Sequence, residues 1–338
     1  MARLRARAPD VAHRVHYADL SRMADTKRCD ECQSPSVAWL RYSGQRLCGK
    51  HLQDSIEKRV KRETKRQGGV TDGRIVVAYS GGKDSTVALH LTLMLAQERR
   101  NVEIVALTVD EGIHGYRPQS LEVATRVTKK LGIEHVVRRT KDLAGADMDT
   151  IQASRPGLGA CGYCGVFRRR IMNDFANELG ATRLVTGHNL DDTAQAILMN
   201  LSSAELEKLA RLGPHDTKKP GLTQRLLPLR LIPETEVYLY AFTKGLDWHD
   251  EECPYSHDSG RTLYRNVLYQ MEDARPGTRH SLVRTFDTMK PWLEQHDDRI
   301  PLGSCVRCGE PSSGALCKVC EFRDSVATMT PVATPRAR

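Results

Sequence analysis

Short apolar runs bounded by turn residues alternate with longer amphipathic stretches through the middle of the chain, and this rhythm predicts its elements. RIVVAYS (74–80) predicts a strand, and the segment from about Asp84 to Gln97 a helix. VEIVALTVD (102–110) predicts a second strand, followed by a helix near 118–131 and the strand EHVVRRT (134–140). A helix is expected at about 166–179, then the strand TRLVTGH (182–188) and a helix at 191–202. Strands and helices in alternation predict an α/β fold, a parallel sheet with helices on both faces. Upstream, residues 52–67 (LQDSIEKRVKRETKRQ) predict a basic helix ended by Gly68-Gly69. Such a run reads either as a solvated charged face or as a nucleic-acid contact.

Composition narrows the class. The 338 residues are 40% hydrophobic and 28% charged, which suits a soluble chain with a sizeable core. No apolar run approaches the roughly 18 residues of a membrane span, so no membrane partner is expected. The Arg-rich opening MARLRARAPDVAHRVHYADLSR lacks an apolar core and is not read as a secretory signal. A disordered extension or an upstream start is expected there, with a mitochondrial presequence as the rival. The net charge of +9 suits a polyanionic partner. Ten cysteines without a signal peptide point to metal sites in a reducing compartment rather than to disulfides.

Seven of those cysteines fall into two sets. Cys29, Cys32, Cys48 and His51 read C-x2-C-x15-C-x2-H, and Cys305, Cys308, Cys317 and Cys320 read C-x2-C-x8-C-x2-C. Paired clasps let four soft ligands meet tetrahedrally, so two structural Zn2+ ions in small ribbon or knuckle modules are expected. Rubredoxin-like iron is the rival. Cys161, Cys164 and Cys253 remain. Three thiolates without a fourth protein ligand suit a metal site with an open position. A redox clasp with Cys253 as resolving thiol, or three inert buried thiols, are the alternatives. The C-x3-C-x2-C string of radical-SAM enzymes is absent.

Ser80, Gly81, Gly82, Lys83, Asp84 and Ser85 spell S-G-G-K-D-S between a strand and a helix. The glycines permit a tight turn, and the helix N-terminus offers unpaired N–H groups to a phosphate chain. A plain strand-to-helix turn capped by Asp84 is the bland alternative. The spacing is not that of a Walker A loop. In GHNLDDTAQ, Asp191 and Asp192 follow a strand at the carboxyl edge of the sheet, where open α/β folds place ligands. One of the two can hold Mg2+ and the other cap the helix. Arg168, Arg169 and Arg170 follow the 161–164 clasp and suit phosphate contact, on ATP or on tRNA, or a solvated helix face.

These motifs together resemble a known family. S-G-G-x-D-S is similar to the PP-loop of the N-type ATP pyrophosphatases. LTVDEGIHGYR (107–117), CGYCGVFRRR (161–170), TGHNLDDTAQAILMN (186–200), EECPYS (251–256) and RPGTRHSL (275–282) resemble the cytosolic tRNA 2-thiolation enzymes, the TtuA, archaeal NcsA and eukaryotic wobble-uridine thiolase family. The resemblance runs over roughly residues 27–325. It implies a PP-loop that holds the β- and γ-phosphates of ATP, with Thr108, Asp110, Gly187 and Arg168 also at the nucleotide. It implies Asp84 and Asp192 as catalytic groups, with Asp191 and Asp192 not separated as metal ligands. Cys161, Cys164 and Cys253 would carry a [4Fe–4S] cluster with one open iron. TtuA-type members tend to carry Lys soon after the second cysteine, whereas CGVFRR looks like the wobble branch. That departure leaves the role of Arg168 unassigned and favours the uridine at position 34 over the T-loop uridine at 54.

The expected activity is a cytoplasmic tRNA-uridine 2-sulfurtransferase that converts ATP to AMP and pyrophosphate. The rivals are a PP-loop ligase that adenylates another substrate and a zinc-dependent RNA-binding module without catalysis. The resemblance also implies a homodimer. A ubiquitin-like thiocarboxylate carrier, a persulfide enzyme and free sulfide all fit as sulfur donor. The expected divisions are a disordered extension (1–26), a zinc module with the basic helix (27–68), the catalytic domain (70–298), a second zinc module (299–325) and a disordered tail (326–338).

Overall fold

The computed structural model describes residues 27–154, 159–214, 221–256, 260–297 and 303–329, and the expected extension at 1–26 lies outside them. Five parallel strands form the central sheet: β3 (Gly73–Ala78), β4 (Val102–Asp110), β5 (Glu134–Arg139), β6 (Arg183–Val185) and β7 (Arg225–Leu226). Their order is β5-β4-β3-β6-β7, so the chain turns back between β3 and β6. Loops leaving the carboxyl ends of two strands that diverge in this way enclose a crevice.

Alternation within β3 builds both layers. Ile75 and Val77 join one core, with α1 (Gly49–Arg66), α2 (Lys83–Ala96) and α9 (Glu234–Lys244). Val76 joins the other, with Val105, Leu107 and the residues Ile171, Met172 and Phe175 of α6 (Gly159–Glu178). Helices therefore cover both faces, as the strand–helix rhythm predicts. The basic helix is amphipathic. Leu52, Ile56 and Val60 recur every four residues and are buried, which lays α1 on the sheet layer. Several of its charges are engaged within the chain: Arg59 with Glu236, Lys61 with Glu98, and Arg66 with Glu63 and Asp287.

The remaining helices are α3 (Arg117–Leu131), α4 (Thr140–Ala144), α5 (Met148–Ala153), α7 (Leu190–Ser202), α8 (Leu206–Ala210), α10 (Arg261–Ala274), α11 (Thr278–Asp297) and α12 (Lys318–Ala327). Two boundaries depart from expectation. The helix expected at 166–179 begins at Gly159, so Cys161 and Cys164 sit inside its first turns, three residues apart on one face. Gly162 and Gly165 read as breakers, yet glycine is only mildly unfavourable in a helix and the buried Tyr163 and Phe167 anchor this one. At the other end, α12 runs to Ala327, two residues into the expected tail, and description ends at Met329.

The two cysteine-rich modules repeat one plan. Each is a two-stranded antiparallel hairpin feeding a helix: β1 (Ala38–Leu40) and β2 (Gln45–Leu47) before α1, and β8 (Gly303–Ser304) and β9 (Pro311–Ser312) before α12. In each, the third ligand is the N-cap residue (Cys48, Cys317) and the fourth lies three residues on (His51, Cys320). That spacing sets two ligands together at a helix N-terminus, whose dipole favours thiolate.

Candidate functional site

The loop after β3 is held by its own hydroxyls. Ser85 Oγ donates to the Gly82 carbonyl at 2.9 Å and accepts from the Ser80 N–H at 3.2 Å, and Thr86 Oγ1 donates to the same carbonyl at 3.0 Å. Gly81 has φ +81°, and a Cβ there would lie 2.3 Å from the Ser120 carbonyl oxygen, so only glycine fits. Gly187, at the end of β6, makes a second close approach: its Cβ would stand 2.9 Å from the Asp84 carbonyl carbon. The two motifs flanking the crevice thus touch backbone to backbone.

Carboxylates gather at this contact. Asp191 is almost fully buried; Oδ1 accepts from Arg279 Nη1 at 2.6 Å and Oδ2 from the Glu234 N–H at 2.8 Å. Asp192 forms a capping box with Asn189, the N-cap of α7, and is half-buried against Arg261 at 2.8 Å. Asn189 Nδ2 also donates to Asp84 Oδ1 at 3.2 Å. Lys83 bridges Asp84 at 2.9 Å and Glu234 at 3.4 Å. Burial and the neighbouring Asp84, Asp191 and Asp192 outweigh Lys83 and push the Glu234 carboxyl up to about 8. Lys83 itself is held above its ordinary value by its two carboxylates, against the pull of burial. A carboxyl raised this far is mostly protonated at neutral pH, and a divalent cation arriving beside it would favour its ionised form. Asp84, Asp192 and Glu234 each keep an exposed part that a metal could reach, whereas Asp191 is buried with both oxygens engaged.

Of the other residues expected at the nucleotide, Thr108 is fully buried, and its hydroxyl is committed to the Tyr79 carbonyl and His135 Nε2. It braces the strand that leads into the loop. Asp110 accepts from the Gly112 N–H at 2.9 Å and shapes the next turn.

The three spare cysteines converge beside this loop. Cys161 and Cys164 come from the first turns of α6, and Cys253 from the segment after α9. That segment is stitched to the phosphate loop, because the His249 N–H donates to the Gly81 carbonyl at 2.8 Å. Cys161 Sγ lies 3.1 Å from the Tyr255 carbonyl, and Cys164 and Cys253 pack with Ile113, Tyr116 and Tyr255. Burial pushes Cys164 up to about 11, with the Arg168 charge opposing, and burial raises Cys253 as well. Thiols in this state need a cationic centre to ionise.

Spacing separates the three metal-binding candidates. A tetrahedral Zn–S bond of 2.3 Å sets thiolates about 3.8 Å apart. Cys32 and Cys48 lie at 3.7 Å, Cys305 and Cys320 at 3.8 Å, and Cys308 and Cys317 at 3.6 Å, with His51 Nδ1 3.4 Å from both Cys29 and Cys48. Backbone N–H groups led by that of Cys317 hold Cys305 down to about 6, while burial and the neighbouring thiols push Cys320 up to about 12. Four thiols in mutual conflict fit a single bound dication. Among the described residues, only these two sets have all their ligand atoms within 4.8 Å of one another. Cys161, Cys164 and Cys253 gather more loosely, which suits a larger inorganic cluster better than one ion.

Several groups at the site are given no role in the sequence reading. Glu111 is buried between Arg117 and Arg168, the latter at 3.4 Å. Arg117 reaches the Ser80 carbonyl at 3.4 Å and Ser120 Oγ at 3.0 Å. Glu234, Arg261 and Arg279 also escape it. Glu111 and Arg117 lie within the quoted LTVDEGIHGYR motif and Arg279 within RPGTRHSL, the hints the sequence offers.

A profile of the PP-loop domain family matches residues 51–272. The tRNA 2-thiolation protein NcsA of Haloferax volcanii is 36% identical over 316 residues, covering 88% of this chain and 98% of its own. The tRNA-5-methyluridine(54) 2-sulfurtransferase of Pyrococcus horikoshii is 34% identical over 296 residues, covering 87% and 93%. Among solved structures, the U34-tRNA thiolase NcsA from Methanococcus maripaludis with its [4Fe-4S] cluster superposes with a TM-score of 0.76 at 33% identity, covering 90% of this chain and 97% of that one.

Proposed function

This chain belongs to the PP-loop family, among its tRNA 2-thiolation proteins, and from that premise we propose that it is a tRNA-uridine 2-sulfurtransferase. The observation that carries the reading is the junction of two half-sites, a phosphate loop and a three-cysteine pocket, tied by the Gly81–His249 backbone hydrogen bond. A uridine carbonyl oxygen is a poor leaving group. Attack of the C2 oxygen on the α-phosphate of ATP releases pyrophosphate and makes that oxygen part of an adenylate. Sulfide then forms the C2–S bond as the C2–O bond breaks, and AMP leaves with the oxygen.

In this reading the loop N–H groups at the start of α2 hold the phosphates, and Lys83 neutralises them. Asp84, Asp192 and Glu234 would hold Mg2+ against the same phosphates. Cys161, Cys164 and Cys253 would hold a [4Fe–4S] cluster, which supplies an open coordination position for sulfide when bound. Cys29, Cys32, Cys48 and His51, and Cys305, Cys308, Cys317 and Cys320, would each hold structural Zn2+. The zinc modules set register on the tRNA through its backbone.

We place the modified uridine at position 34, as in the name of the superposed Methanococcus thiolase. An anticodon loop offers unstacked bases. Position 54 is the second reading, favoured by the name of the Pyrococcus relative. Anaerobic incubation with ATP, tRNA and sulfide, with AMP, pyrophosphate and 2-thiouridine measured and the nucleoside mapped by mass spectrometry of nuclease fragments, tests both. Thiolation confined to the T-loop fragment overturns the position, and ADP as the nucleotide product overturns the chemistry.

A further inference from the structure

Beside the cysteine pocket lies a cleft that none of the roles above uses. It has a volume of about 410 Å³ and opens where α6, β7 and the C-terminal zinc module meet. Arg169, Arg170, Arg211, Arg225 and Lys318 line it, with Glu310 as its one carboxylate among the described residues, and Val166, Leu222, Pro311 and Val319 form an apolar wall.

The arginines divide sharply by partner. Arg170 is saturated: it holds Asp174 at 2.6 Å, Glu310 at 3.4 Å and Cys308 Sγ at 3.5 Å, pinning the zinc module to α6 and engaging Glu310. Arg211 pairs with Glu207 at 3.7 Å, and Lys318 with Glu321 at 2.5 Å. Arg169 and Arg225 have no carboxylate partner among the described residues. Arg169 instead lies within electrostatic range of Arg225, Arg168 and Arg261, which depress its pKa further after burial has lowered it. Its guanidinium folds back over Gly165, where a Cβ would stand 3.3 Å from Nη1, so that glycine gives it room. Arg169 is exposed and Arg225 half-buried, so the two guanidinium groups face the cleft where an incoming anion can reach both.

We propose that this cleft binds one nucleotide of the RNA substrate, its phosphodiester held between Arg169 and Arg225 and its nucleoside against the Val166–Leu222 wall. The inference rests on the proposed function and adds a specific contact to it. Size favours a nucleotide, since a lone phosphate leaves most of 410 Å³ empty, whereas ligand pockets of about 300–1,000 Å³ hold small organic groups. Guanidinium forks match phosphate oxygens in pairs. Position favours the substrate strand over the nucleoside triphosphate. Arg169 follows Cys164 by five residues on one helix, and Arg225 stands with Arg168 and Arg261 around His188, in the crevice motif. A nucleotide seated here neighbours the one being modified.

The test uses the full chain, purified anaerobically, and a tRNA transcript labelled for fluorescence anisotropy at several KCl concentrations. Arg169→Gln, Arg225→Gln and the double substitution are compared with Lys130→Gln, an exposed lysine on the far end of α3. The double variant is expected to bind about 10-fold to 100-fold more weakly, with the slope of log K against log salt shallower by about one to two. ATP affinity and iron content should stay as in the parent protein, and Arg225→Lys, which keeps the charge, should bind more tightly than Arg225→Gln. An unchanged affinity and salt slope in the double variant overturns the proposal. Unchanged RNA binding with loss of sulfur transfer from a carrier protein, but not from free sulfide, also overturns it and assigns the cleft to an acidic protein surface. A parent protein that binds no tRNA sinks the proposed function, and this inference with it.

Discussion

Gly81→Ala and Gly82→Ala are one methyl group each, in adjacent residues of the same loop, and the geometry separates their consequences. At Gly81 the added Cβ meets two penalties. With φ at +81°, an L-residue costs about 1–2 kcal/mol. The methyl also falls 2.3 Å from the Ser120 carbonyl oxygen and 3.3 Å from its carbon. That carbonyl is helix backbone in α3, which must shift bodily, and overpacking of this kind costs about 1–3 kcal/mol. The sum, about 2–5 kcal/mol, corresponds to a drop in melting temperature of roughly 4–20 °C for a domain of some 200 residues. At Gly82 the backbone is extended (φ −78°, ψ 165°), and the nearest atom to a new Cβ is Ser80 Oγ at 3.5 Å, an ordinary contact. The loss there is that of a weaker N-cap, at most about 1 kcal/mol. Circular dichroism melts of the anaerobic protein without nucleotide, followed by AMP assays with tRNA, read both effects. Gly81→Ala should lose stability and activity together, whereas Gly82→Ala should melt near the parent and lose activity through a blocked approach of phosphate. A Gly81→Ala protein melting within about 2 °C of the parent would refute the argument that the α3 backbone fixes this loop.

Replacing Cys161, Cys164 or Cys253 with Ala should remove iron while both zincs remain, as metal analysis of anaerobic protein will report; full activity of Cys253→Ala would sink the three-cysteine site. Asp84→Ala should abolish AMP and pyrophosphate formation with the fold intact, and pyrophosphate release at the parent rate would remove Asp84 from the site. Asp191→Ala strands the buried Arg279 and should cost about 3 kcal/mol in urea unfolding, the low end for a broken buried pair because Glu272 remains 3.4 Å away. Asp192→Ala, half-exposed, should cost less stability yet lose AMP formation, and the reverse ranking of the two variants would overturn the division between them.

What the sequence makes legible here is local. The apolar runs of β3 and β4 and the turn glycines at 81 and 82 report their own conformation, because period-two burial and a required positive φ are properties of the residues themselves. The two four-ligand sets are legible for the same reason, since each clasp closes within four residues. The acids Asp84, Asp191 and Asp192 are legible too, but their partners are not. Asp191 meets Arg279 across 88 positions, and Lys83 meets Glu234 across 151, so neither pair leaves a spacing to read. The helical clasp fails differently: Gly162 and Gly165 argue against a helix locally, and the packing of Tyr163 against Phe322, with ring centroids 4.3 Å apart, overrides them.

Arg168, on the same helix, links the cysteine pocket to a buried acid. Arg168 reaches Glu111 at 3.4 Å and hydrogen-bonds Cys164, so one side chain must serve an acid and a sulfur at once. A guanidinium offers a fork of five donors, whereas an ammonium is a point charge on a flexible stem. Glu111 in turn pairs with Arg117, and Arg117 donates to the Ser80 carbonyl. The result is an unbroken run of charge-assisted contacts from the cysteine pocket to the phosphate loop, with a buried carboxylate at its centre. Glu111 is worth its burial only while both arginines stay in place, because a carboxylate that loses one partner in a dry site keeps most of its desolvation cost. The two half-sites are therefore held in register by Glu111, which the LTVDEGIHGYR motif contains without showing its distant partner Arg168.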